Sequence, residues 1–78
     1  MVHDAGRRAI LGAMEDNGLA VVSADRGTGT VRGTRGAAEG TIVVQMRNDG
    51  RVGVEINGKG DPGLTQRLTE AYNRRMGR

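Results

Sequence analysis

The chain has 78 residues, with twelve Lys and Arg against nine Asp and Glu, fourteen glycines, one histidine and no cysteine. That length excludes a second domain and leaves room for one sheet and its covering helices, so residues 1–78 read as a single small domain. Disulfides and thiolate metal sites are excluded, and His3 has no second imidazole with which to share a metal. Oligomerisation or partner binding is then the remaining staple for so small a core.

No apolar run approaches the roughly 20 residues of a membrane span, and residues 1–6 lack the apolar centre of a signal peptide. The expected compartment is therefore cytoplasmic, with no membrane partner. A hydrophobic fraction of 36% leans toward disorder, but the apolar residues are periodic, which a disordered tail does not require.

The first predicted element is a helix capped by Asp4, with Gly6, Ile10, Ala13 and Met14 on one side and Leu11 at its edge. It should end at Asn17, with Gly18 as the left-handed residue beyond the cap and Leu19 folding back on Met14. Residues 19–24 are short, apolar and valine-rich, and they read as a strand entering the turn Asp25-Arg26-Gly27-Thr28-Gly29. Residues 30–35 are its expected hairpin partner, weakened by Gly33, and residues 36–40 are expected to be a mobile connection.

Residues 41–47 and 51–57 form the clearest unit. A two-residue turn at Asp49-Gly50 would set Met46 against Gly53 and split the two apolar rows between faces. A three-residue loop, Asn48-Asp49-Gly50, instead pairs Met46 with Val52, Val44 with Val54 and Ile42 with Ile56, with Gly50 at the left-handed bulge position. The outer face then carries Val43, Gln45, Arg47, Arg51, Gly53 and Glu55. After an expected loop at residues 57–60, Asp61 and Pro62 predict the cap and first position of a second helix. Its stripe is Leu64, Leu68, Ala71, Tyr72 and Met76; Arg67, Glu70 and Arg74 lie off it, and Gly77 ends it. The predicted fold is α+β: helix, three- to four-stranded antiparallel sheet, helix, with both helices on one face of the sheet.

The acids mostly have structural roles in this reading: Asp4 and Asp61 as caps, Asp25 and Asp49 in turns, Glu70 on a helix exterior. With no cysteine and one terminal histidine, the inventory for nucleophilic or acid–base catalysis is missing, and no enzyme activity, cofactor or metal is expected. Gly27-Thr28-Gly29 resembles a fragment of a phosphate-binding loop, but it leads into Thr30-Val31-Arg32, which reads as strand rather than as a helix N-terminus. A hairpin turn is the better account.

Residues 26–38 hold Arg26, Arg32 and Arg35 and no acid, so the whole formal charge of +3 falls in that glycine-rich stretch. Arginine on a flexible backbone can follow phosphates, which makes DNA or RNA a candidate partner through Arg26, Arg32, Arg35, Arg47 and Arg51. The tract lacks aromatic residues, and the one tyrosine, Tyr72, is on the apolar stripe of the second helix. The order α-β-β-β-α is shared with double-stranded-RNA-binding domains. That family places a basic cluster where this chain has Asp61-Pro62-Gly63-Leu64, whose acid would repel phosphate. Two local conflicts mark further candidate binding residues: Arg7 and Arg8 in the first turn of the first helix with Glu15 and Asp16 in its last, against the helix dipole, and Arg47 opposite Arg51 across the hairpin.

The segment Arg67-Leu68-Thr69-Glu70-Ala71-Tyr72 occurs together with Asn17-Gly18-Leu19, Val31-Arg32-Gly33 and Asn48-Asp49-Gly50. In that order they resemble a shortened, divergent member of a small uncharacterised family found in cyanobacteria, plastids and some phages. The C-terminal helix of that family carries an Arg-Leu-x-Gln-x-Tyr pattern. Glu70 stands in place of the Gln, and the further aromatic expected after Tyr72 is absent. The resemblance implies no activity. By elimination the expected function is a non-enzymatic protein-binding module, an accessory subunit or small inhibitor of a larger protein, encoded by a phage or mobile element. Its expected partner is another protein or a second copy of the chain, with nucleic acid as the alternative.

Overall fold

A computed structural model describes residues 4–25 and 27–77, apart from the side chains of residues 4 and 5. The order is α1 (Asp4–Asp16), β1 (Ala20–Asp25), β2 (Thr30–Arg35), β3 (Ala38–Met46), β4 (Val52–Lys59) and α2 (Leu64–Arg75). The strands form one antiparallel sheet of four in the order β1-β2-β3-β4. The fold is α+β, as the sequence predicts, and the expected three- to four-stranded sheet has four strands. No helix of the described residues is long and apolar enough to cross a membrane.

α1 stops because Gly18 takes φ +71° beyond Asn17. The Leu19 N–H then reaches the Met14 carbonyl at 2.9 Å and the Gly18 N–H reaches that of Glu15 at 2.9 Å, the two bonds of a Schellman ending. The chain reverses so tightly that Leu19 is buried beside Met14 at the mouth of β1. Side chains at residues 4 and 5 lie outside the described set, so the predicted capping role of Asp4 does too.

The β3–β4 hairpin has the expected register: Met46 with Val52, Val44 with Val54, Ile42 with Ile56. Gly50 sits at φ +81°, where a side chain would be strained. The connection expected at residues 36–40 is a correction. Only Gly36 and Ala37 turn, with Gly36 at φ +58°, and Ala38 already pairs with Arg35. A left-handed residue at the first central position is what a two-residue hairpin turn of the II′ kind requires.

Two further boundaries are corrected. β4 runs on through Asn57 and Gly58 to Lys59, so the expected loop at 57–60 is largely strand. α2 starts at Leu64 with Gly63 at its cap, and Asp61 caps nothing, because its carboxylate is taken by Arg35 and Arg67.

Gly33, Gly40 and Gly58 explain both glycine misreadings. They pair across the sheet as one row, Gly33 with Gly40 and Gly40 with Gly58. A Cβ on Gly33 would lie 3.1 Å from Met14 Sδ, one on Gly40 2.8 Å from Leu68 Cδ1, and one on Gly58 2.8 Å from Leu64 Cβ. Side chains of both helices thus press against the same bare strip of backbone. Both helices therefore cover one face, with Ile10, Met14, Leu19, Ile42, Leu64, Leu68 and Tyr72 at the centre of the core. Glycine is required here for close approach, not for φ.

Candidate functional site

The arginines singled out from the sequence do not form one surface. Arg35, predicted as part of a flexible phosphate-following tract, is a clamp. Its guanidinium donates to the Asn17 carbonyl at the end of α1 at 2.6 Å and to the Asp61 carboxylate ahead of α2. Arg67 donates to the same carboxylate, so one acid gathers two guanidiniums from β2 and α2. Arg32 lies 3.9 Å from Glu39, which also meets Lys59 at 3.4 Å. Arg26 lies outside the described residues.

Arg51 stands in the hairpin loop 3.8 Å from Asp49, and Arg47 spreads back over Gly53, where a Cβ would come within 2.6 Å of its Nε. The predicted repulsion between Arg47 and Arg51 is relieved by that divergence. Their backbones stay joined, the Arg47 N–H donating to the Arg51 carbonyl at 2.7 Å.

The dipole conflict in α1 also has a partial account. Arg75, at the end of α2, lies along α1 past Gly12 and donates twice to Asp16, at 3.0 and 2.7 Å. Those bonds hold the Asp16 carboxyl below its ordinary value, and Asp16 holds the Arg75 guanidinium above its own. Asp16 is thus an interhelical anchor. Arg7, Arg8 and Glu15 remain exposed, and among the described residues none of them forms an ion pair.

Gly27-Thr28-Gly29 is a hairpin turn. The Asp25 carboxylate accepts the N–H groups of Gly27 and Thr28 at 2.8 and 3.4 Å, and Val44 donates to the Gly29 carbonyl at 2.9 Å. Two of the donors that would cradle a phosphate, the Gly27 and Thr28 N–H groups, are thus already engaged. Among the described residues no group of three or more His, Asp or Glu side chains is placed to hold a metal ion.

Among the described residues, the sheet leaves surface open on both of its faces. The sheet face away from the helices has a shallow depression of about 270 Å³ lined by Glu39, Thr41, Val43, Glu55, Asn57 and Lys59. Its acid Glu39 already serves Arg32 and Lys59. The other surface is the end of the helix-side face beyond the helices. There Val44 and Val54 are only partly buried, and the next cross-strand pair, Met46 with Val52, is 69% and 60% exposed. Val21 and Val22 are also exposed on the edge strand β1, at 42% and 53%. Sequence patterning assigned Met46 and Val52 to the core face correctly, but periodicity does not carry how far the helices extend over it.

Compared with family models, curated proteins and solved structures, the chain matches none.

Proposed function

We propose that this domain is a non-enzymatic protein-binding module, an accessory subunit or small inhibitor of a larger protein. The supporting observation is the Met46–Val52 pair, two large apolar side chains held side by side near the tip of the β3–β4 hairpin and left exposed beyond the helices. Contiguous apolar surface of this kind is retained where a partner covers it.

The alternative, DNA or RNA binding through the arginine-rich hairpin, has weaker support. Arg32 and Arg35 already have acidic partners within the domain, and freeing them would uncover Glu39 and Asp61 beside any phosphate. The discriminating experiment is capture from native lysate by the parent and by Met46→Ser/Val52→Ser, with and without nuclease. A protein retained by the parent, lost with the variant and indifferent to nuclease supports the module. Capture that is lost on nuclease treatment and unchanged in the variant overturns it.

A further inference from the structure

We propose that the partner of β4 is a second copy of the same chain, the two β4 strands pairing antiparallel about a two-fold axis at Val54 to continue the sheet across the interface. This rests on the reading of the domain as a protein-binding module and names one partner for it.

The free edge is defined by hydrogen-bond alternation. Residues directly opposite in an antiparallel pair alternate between exchanging hydrogen bonds and pointing them away. The bond from the Arg47 N–H to the Arg51 carbonyl fixes the phase, so Arg51, Gly53, Glu55, Asn57 and Lys59 turn their backbone groups toward β3. Val52, Val54, Ile56 and Gly58 turn theirs outward. At Gly58 the outward groups are taken by Thr65, whose hydroxyl accepts the Gly58 N–H at 2.8 Å and lies 3.3 Å from the Gly58 carbonyl, to which it donates. That leaves Val52, Val54 and Ile56 as an unprotected stretch of edge.

The two edges of the sheet are treated differently. β1 is six residues long and irregular between Val21 and Ser23, a bulge of the sort that discourages strand addition. β4 is eight residues long, regular in register, without proline, and closed only at its Gly58 end. An edge of this kind is a template for another strand.

Charge selects the register. Pairing centred on Glu55 would set Glu55 against its own copy, and pairing centred on Gly53 would bring the two Arg47 guanidiniums together, because each lies over its own Gly53. Centring on Val54 places Glu55 of each copy opposite the partner's Gly53, and so against the partner's Arg47. Neither Glu55 nor Arg47 has an ion-pair partner among the described residues of its own chain. On the helix side the same register sets Val52 against the partner's Ile56 and Val54 against the partner's Val54. It also brings the uncovered end of each β4 beside the end on which α2 of the other copy packs.

The test is sedimentation equilibrium of the parent from roughly 1 µM to 1 mM, the range in which a small symmetric interface dissociates. A reversible dimer is expected. Glu55→Arg, on an exposed side chain away from the core, should weaken it roughly tenfold or more by turning two attractions into repulsions. Adding Arg47→Glu to Glu55→Arg should restore it. Val54→Pro removes an outward N–H that β3 does not use, so it should abolish the dimer while leaving a folded circular-dichroism spectrum. A parent that is monomeric throughout overturns the proposal, as does a dimer indifferent to Glu55→Arg. A monomer that still captures another protein through Met46 and Val52 sinks this pairing alone and leaves the module standing.

Discussion

Gly58→Ala is the sharpest probe of how the helices sit on the sheet, because its effect is steric and has a control in the same strand. Gly58 has an ordinary strand conformation, so alanine itself is not strained there. Its Cβ, however, would stand 2.7 and 2.8 Å from Leu64 Cγ and Cβ and 2.8 Å from the Thr65 backbone nitrogen. Leu64 is fully buried, and the Thr65 nitrogen belongs to the first turn of α2, so relief requires the start of the helix to move. Overpacking of this kind costs about 1–3 kcal/mol. Loss of the Thr65 hydroxyl bonds adds about 0.5–1.5 kcal/mol, and the reduced entropy of the unfolded chain returns about 0.4–1 kcal/mol. The net is about 2 kcal/mol, from a total of about 4–12 kcal/mol for a chain of this length. Such a loss lowers the melting temperature by about 8–16 °C. Gly53→Ala, five residues earlier in β4, meets only the mobile end of Arg47 and should melt within a few degrees of the parent. Thermal unfolding followed by circular dichroism compares the two directly. Equal melting temperatures would refute the close approach of α2 to the glycine row.

Gly50→Val should destabilise more than Gly53→Val, since only Gly50 is held at positive φ; equal thermal shifts would count against the bulged loop. Leu68 is fully buried, so Leu68→Ala should cost about 2–5 kcal/mol and bring the domain close to unfolding, read as a lost or strongly shifted cooperative melt. Arg35→Gln should destabilise by about 1 kcal/mol, a modest value because the guanidinium is half exposed and Arg67 still neutralises Asp61; a denaturant midpoint equal to the parent's would show the clamp contributes nothing. Asp16, with its lowered carboxyl pKa, contributes stability that is present above its ordinary value and lost as pH falls through the acid carboxylate range. Asp16→Asn should accordingly flatten part of the acid limb of a stability-against-pH curve, and an unchanged limb would remove the ion pair from the account.

What could be read from the sequence follows how local the cause is. The Asn17-Gly18-Leu19 stop and the Asn48-Asp49-Gly50 hairpin were legible, because a glycine at a turn and the apolar rows beside it fix geometry within a few residues. Gly33, Gly40 and Gly58 were not. Each alone reads as a weak strand or a loop, and their common purpose exists only after the register aligns them under Met14, Leu68 and Leu64. Asp61 followed by proline is a strong local start signal, yet two arginines distant in sequence or one turn ahead claim its carboxylate, and the helix begins at Leu64 instead. Long-range ion pairing outcompeted a local cap.

The same contrast bears on function. Counted along the chain, the excess positive charge falls in residues 26–38, and that count is what makes the glycine-rich hairpin look like a phosphate binder. In space, β3 brings Glu39 to Arg32, and the β4–α2 connection brings Asp61 to Arg35, so two of the tract's three arginines face acids from outside it. The cations left without an ion pair among the described residues are Arg7, Arg8, Arg47 and Arg74, which lie on α1, at the hairpin tip and near the end of α2. Replacing Arg26, Arg32 and Arg35 together is therefore not a clean probe of phosphate binding, because Arg35 also ties α1 to the start of α2. A cleaner dissection changes Arg47, which forms no ion pair among the described residues and stands near the hairpin tip beside the free edge of β4. Neither it nor Glu55, opposite in sign on the same outer face, has an ion pair among the described residues, so a change at Arg47 tests the proposed pairing of two β4 strands without cutting an ion pair of the fold.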